Sequence, residues 1–164
     1  MTRILVAYAS KHGSTEEVAR AIASTLRRAG SHVDVLAAAE APRPDEYDAV
    51  VLGGSIYMGR WHRDARRFLD AHFDDLVQRP IAVFALGPIS MDKEASSHAQ
   101  LERALGAVGI EPDTVAIFGA VIDPDALHFP FNRMPKTDER DWSAIERWAL
   151  EVLELVERGR VPVS

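Results

Sequence analysis

Cysteine is absent from the 164-residue chain. That absence excludes disulfide scaffolds, thiolate metal sites and cysteine nucleophiles, so any redox chemistry requires a bound cofactor. Apolar runs stay well short of the roughly 18 residues of a spanning helix, and Ile4-Leu5-Val6-Ala7 behind Met1-Thr2-Arg3 is too short for a signal peptide. No transmembrane segment is expected, and the expected location is cytoplasmic. Positive charge is in deficit, with 19 Lys and Arg against 25 Asp and Glu and a formal net charge of -6. A nucleic-acid binder needs a basic footprint to neutralise phosphates, so that class is disfavoured. The signatures G-x-x-x-x-G-K-[ST], G-x-G-x-x-G after the first strand, and G-x-S-x-G are all missing. Tyr8-Ala9-Ser10 lacks the acidic residues with which a phospho-receiver of similar topology holds magnesium, and no metal site is assigned.

What is present has the balance of a globular protein, 47% hydrophobic and 27% charged, in a length that fits one domain over residues 1–164. Apolar runs of strand length cover residues 3–8, 32–36, 49–53, 81–86 and 114–121 and alternate with helical patterns. The first and the last three are nearly continuously apolar, as strands covered by helices on both faces are. The second is shorter and mixed, like an edge strand. Val18, Ile22 and Leu26 form one helical stripe, stopped at Gly30; Ala65, Phe68, Leu69, His72, Phe73 and Leu76 form another. Leu101, Ala104, Leu105 and Val108, and then Trp142, Ile145, Ala149, Val152 and Val156, form the third and fourth. Right-handed crossovers resolve this alternation into an α/β, three-layer, doubly wound sheet of five parallel strands. Ligands bind such sheets beyond the carboxyl ends of the strands, where the strand order reverses. Three loops qualify, over residues 10–15, 55–62 and 87–94.

The first loop, Ser10-Lys11-His12-Gly13-Ser14-Thr15, separates a buried strand from a helix. Hydroxyls at 10, 14 and 15 surround Gly13, whose missing Cβ lets backbone amides approach an anion, and the helix start adds free N–H groups and partial positive charge. A terminal phosphate fits there without an arginine. The same residues also read as a capping box, Ser14 with Glu17, in which Gly13 only makes the turn.

This loop resembles the phosphate loop of the flavodoxin-like family, Ser/Thr-x-Thr-Gly-x-Thr after the first strand: Ser10, Gly13 and Thr15 match, while His12 replaces the usual threonine. The resemblance implies a flavodoxin-like sheet of strand order 2-1-3-4-5 and FMN as cofactor, its phosphate held by Ser10, Lys11, His12, Gly13, Ser14 and Thr15. It also implies that the second loop lies beside the flavin ring, with Ser55, Ile56, Tyr57, Met58 and Gly59 as ring-binding residues. The third places Leu86, Gly87, Pro88 and Ile89 along the pyrimidine side. Tyr57 and Trp61 either flank a flat ring or pack beneath their loop. The third loop carries no aromatic, which departs from many flavodoxins, and Asp92 and Glu94 read as ordinary acids of a helix start.

Residues 123–136 are long for a βα connection and rich in aromatics, which suits either a cover over a ligand or a satellite core. A comparable insertion occurs in flavodoxin-like protoporphyrinogen oxidases, which pass electrons to quinone; Asp141-Trp142 at the start of the last helix supports that likeness. The resemblance therefore implies an FMN oxidoreductase, a flavodoxin-type electron carrier, or a fold that has lost flavin and serves interaction. No catalytic acid or base is designated. Arg60, Arg63, Arg66 and Arg67 next to the ring loop suit an anionic small-molecule substrate or an acidic redox partner protein, unless Arg66 and Arg67 pair along the helix with Asp70 and Asp74.

Overall fold

Residues Ile4 to Ala7 are fully buried, because a central parallel strand meets helices on both faces. A computed structural model describes residues 2–10, 13–57, 59–87, 91–122, 137–138 and 140–160. In it β1 (Arg3–Ala9) leads through α1 (Ser14–Arg28) to β2 (His32–Ala37). Two single 3-10 turns, Ala38–Glu40 and Pro44–Glu46, replace a crossover helix before β3 (Ala49–Tyr57). The two-residue strand β4 (Arg60–Trp61) folds back on β3, and α2 (Arg63–Ala71) and α3 (Phe73–Leu76) return the chain to β5 (Ile81–Gly87). Then come α4 (Met91–Val108), β6 (Thr114–Gly119), β7 (Val121–Ile122), β8 (Thr137–Asp138) and α5 (Trp142–Arg160).

The main sheet runs β2-β1-β3-β5-β6, all parallel, with β4 antiparallel to β3 off its end; β7 and β8 pair separately. Setting β4 aside, this is the expected order 2-1-3-4-5. On one face Ile4, Val6 and Val51 pack with Val18, Ile22 and Leu26 of α1 and Ile145, Trp148 and Val152 of α5. On the other, Leu5, Leu52 and Val83 pack with Phe68 and Leu69 of α2, Leu76 of α3 and Leu101 and Leu105 of α4. Alternate residues of one strand thus feed two cores. Phe84, Phe118 and Trp148 form an aromatic trio under α5, with ring centroids 5.8 to 6.1 Å apart.

Several local expectations change, while the fifth expected strand, nearly continuously apolar, lies at an edge as the order 2-1-3-4-5 places it: β6 pairs with β5 alone among the described residues, and Val115 is 37% exposed. It also ends at Gly119, with Val121 pairing across to Asp138 instead. The helical stripe over 65–76 breaks at His72, whose backbone leaves helical geometry while its ring packs against Phe68 at 4.7 Å. That bend lets Leu76 turn into the core, where it is 1% exposed. The third strand runs four residues further than its apolar stretch: Gly54 and Ser55 still pair with β5, and β4 supplies the partner to Ile56 and Tyr57.

Candidate functional site

The sheet register sets three strand ends side by side. Ala9 of β1 lies opposite Gly54 of β3, Gly54 lies opposite Ala85, and Ser55 opposite Leu86 of β5. Neighbouring strands are about 4.8 Å apart, so the segments that leave them share one edge, at the point where β2 and β3 flank β1 and the order reverses. The opposite edge carries a shallow apolar depression beside Asp113, whose carboxylate accepts the Ile81 amide at 2.9 Å.

At the end of β1, Gly13 caps α1 with φ 86, a left-handed conformation that glycine adopts without strain. Its amide donates to Ser10 Oγ at 2.8 Å. The first helical bond runs from the Glu17 amide to the Gly13 carbonyl at 3.1 Å. The amides of Ser14, Thr15 and Glu16 therefore precede the ladder and point out of the helix start. The capping box does not form: no side chain caps this helix, and Glu17 turns elsewhere. Thr15 is 0% exposed, yet its Oγ1 finds no hydrogen-bond partner among the described residues. A buried hydroxyl without a partner is costly, and this one lies in the first turn of α1 beside those free amides. A phosphate ester fits this donor set of outward amides and hydroxyls. Lys11 and His12 lie outside the described residues.

The expected second loop is instead a β-hairpin. Ser55, Ile56 and Tyr57 are the last residues of β3, with Ile56 opposite Trp61 and Tyr57 opposite Arg60. In the turn between them Gly59 is exposed with φ 74, and Met58 lies outside the described residues. A tight hairpin suits a glycine there. Trp61 resolves to packing: it is 1% exposed and its indole N–H donates to the Gly54 carbonyl at 3.0 Å. A Cβ on Gly54 would stand 2.7 Å from that nitrogen, so the close approach requires glycine. His62 Nδ1 accepts the Asp64 amide at 3.1 Å and caps α2. At the end of β5, Leu86 and Gly87 are buried; a Cβ on Gly87 would lie 2.9 Å from Ser97 Oγ and 3.4 Å from Ile56 Cδ1. Pro88, Ile89 and the segment 123–136 lie outside the described residues, as do the side chains of Asp92 and Glu94.

Two contacts near the α1 start were not legible in sequence spacing. Tyr8 donates its hydroxyl to Glu16 Oε1 at 2.5 Å, which holds that carboxyl below its usual range and, with burial, pushes the phenol up. Arg140 reaches Glu17 Oε2 at 2.7 Å across 123 positions of sequence. The basic cluster divides: Arg66 Nε turns back to the Trp61 carbonyl at 3.2 Å, while Arg60, Arg63 and Arg67 are exposed. Among the described residues no acidic or histidine cluster could hold a metal, and no helix is long and apolar enough to cross a membrane.

Residues 5–134 match the flavodoxin domain family. The chain belongs to that family. It is 24% identical to "Protoporphyrinogen IX dehydrogenase [quinone]" of Escherichia coli (strain K12), across 95% of this chain and 97% of that protein. The flavodoxin architecture also superposes on oxidised Flavodoxin 1 from Bacillus cereus, with TM-score 0.62 and 17% identity over 93% of this chain and 98% of the other. A flavodoxin from the domain Archaea gives TM-score 0.62 and 19% identity over 95% and 99%. At such identities the two structures share the fold of this flavodoxin domain.

Proposed function

We propose that this flavodoxin-domain protein, one domain over residues 1–164, binds FMN and works as an oxidoreductase. The observation that carries the reading is Thr15, a fully buried hydroxyl without a partner among the described residues, in a turn whose amides face outward. The phosphate of FMN would supply the missing acceptor, held by Ser10, Gly13, Ser14 and Thr15 with Lys11 and His12. Ser55, Ile56, Tyr57, Met58 and Gly59 on the hairpin, and Leu86, Gly87, Pro88 and Ile89 at the end of β5, would line the ring. Bound there, FMN would bring the electron-accepting ring that this cysteine-free chain lacks. The protein's part is to orient it and to keep water from one side of it.

The likeness to a quinone-linked protoporphyrinogen IX dehydrogenase supports a porphyrinogen-type, carboxylate-bearing substrate and a quinone acceptor. Exposed Arg60 and Arg63 at the hairpin and the α2 start supply charge of the sign that such an anion requires. An absorption spectrum of the purified protein, with acid release and identification of the yellow ligand, tests the cofactor. Colourless protein that gains no flavin spectrum on adding FMN refutes it. Turnover of a porphyrinogen with a quinone tests the enzyme reading; reduction and reoxidation by redox proteins without such turnover would make the protein an electron carrier.

A further inference from the structure

An anion at a helix start competes with any carboxylate in the same turn, because like charges repel while both draw on the same free amides. The first turn of α1 carries two, Glu16 and Glu17. Glu16 is engaged by the Tyr8 hydroxyl at 2.5 Å and by Arg20 at 3.3 Å. Glu17 is engaged by Arg140 at 2.7 Å, its one ion pair among the described residues. Arg140 is held for this contact. Its side chain is 9% exposed, its Nε and Nη2 grip Asp138 at 2.9 and 2.8 Å, and its guanidinium lies 4.7 Å from the Trp142 ring centroid. A fork fixed on three sides presents its charge in one place.

We propose that Arg140 is a positioning residue for the phosphate turn: it offsets the Glu17 carboxylate and so preserves the affinity of the α1 start for an anionic ligand. The inference rests on the phosphate reading above, which the buried Thr15 hydroxyl supports independently. With Glu17 and Asp138 it makes a cluster of one net negative charge. Removing the guanidinium leaves two negative charges, removing the Glu17 carboxylate leaves none, and removing both restores one.

The test compares FMN with riboflavin, which shares the ring and lacks the phosphate, by titration into the flavin-stripped protein. The FMN-to-riboflavin affinity ratio should fall by about two- to five-fold in Arg140→Gln, the range that exposed charge pairs carry. It should rise by a similar factor in Glu17→Gln and return to the parent value in the double variant. Arg140→Lys, which keeps the charge, should retain the ratio, and raising the ionic strength should shrink every difference. A merely structural role for Arg140 would weaken both ligands equally, and that result overturns the proposal. So does a loss in Arg140→Lys equal to that in Arg140→Gln. Should Arg140→Gln not fold, Glu17→Gln decides: a raised ratio supports the proposal and an unchanged one overturns it. Equal FMN and riboflavin affinities in the parent would instead remove the phosphate reading itself, and this inference with it.

Discussion

Replacing Thr15 by Val should stabilise the flavin-free protein and weaken FMN binding at once. The Thr15 hydroxyl is 0% exposed and unpartnered among the described residues. A buried group left unsatisfied costs roughly 1–3 kcal/mol, and valine fills nearly the same volume without it. A gain of about 1 kcal/mol corresponds to a rise in Tm of about 2–4 °C for a domain of this size. On binding, the lost hydrogen bond to a charged phosphate is worth roughly 1.5–3 kcal/mol, or about 10- to 100-fold in Kd. Ligand stabilisation follows RT ln(1 + [L]/Kd), so FMN at about 1,000 times the parent Kd adds about 4 kcal/mol to the parent. A variant bound about 30-fold more weakly gains only about 2 kcal/mol under the same conditions. The order of melting temperatures should therefore invert when FMN is added. Circular dichroism melts with and without FMN, and a flavin-fluorescence titration, read both effects; Thr15→Ser, which keeps the hydroxyl, should retain the affinity. A variant that is less stable than the parent without flavin, or that binds FMN as tightly, refutes the argument.

Gly54→Ala would drive a Cβ to 2.7 Å from Trp61 Nε1 and 3.1 Å from the Ala65 Cβ. Overpacking there should cost about 1–3 kcal/mol, and an unshifted urea midpoint would refute the close approach. Tyr47 is 8% exposed and donates its hydroxyl to Asp34 at 2.6 Å; burial first, and then Asp34, pushes the phenol up to about 12. Its folded pKa lies above the unfolded value near 10, so this stability is full below pH 10 and is lost as pH rises through 12. Tyr47→Phe should lose about 1 kcal/mol at neutral pH and decline less steeply than the parent across that alkaline window; parallel declines in denaturant midpoints would contradict the shift. Changing Arg60 and Arg63 together to Ser should slow flavin reoxidation and flatten its salt dependence with FMN still bound. Identical stopped-flow rates and salt slopes in parent and variant would make the patch ordinary surface.

Local pattern carries the architecture a long way. Runs such as Ile4 to Ala7 and Ile81 to Leu86 are apolar on both faces, as strands of a helix-covered parallel sheet are, so the layers follow from pattern, while the strand order follows from the resemblance carried by residues 10–15. The residues 10–15 that match a phosphate loop also stand out, because a turn between buried strand and helix needs few long-range contacts to form. Register, ends and pairings obey a different rule, since each depends on a partner far along the chain. Ile56 and Tyr57 belong to β3 because Trp61 and Arg60 return to pair with them, Ser55 because it lies opposite Leu86 of β5, and Trp61 lies under the hairpin because Gly54 leaves room for its ring. The apolar run of β6 does not by itself mark an edge; the order 2-1-3-4-5 implied it, and β6 pairs with β5 alone among the described residues. Arg140 meets Glu17 across 123 positions, and no periodicity in the sequence links them. The orphaned Thr15 hydroxyl is of the same kind: a threonine in a helix's first turn is commonplace, and its burial without a partner follows from the packing of α1 against the sheet.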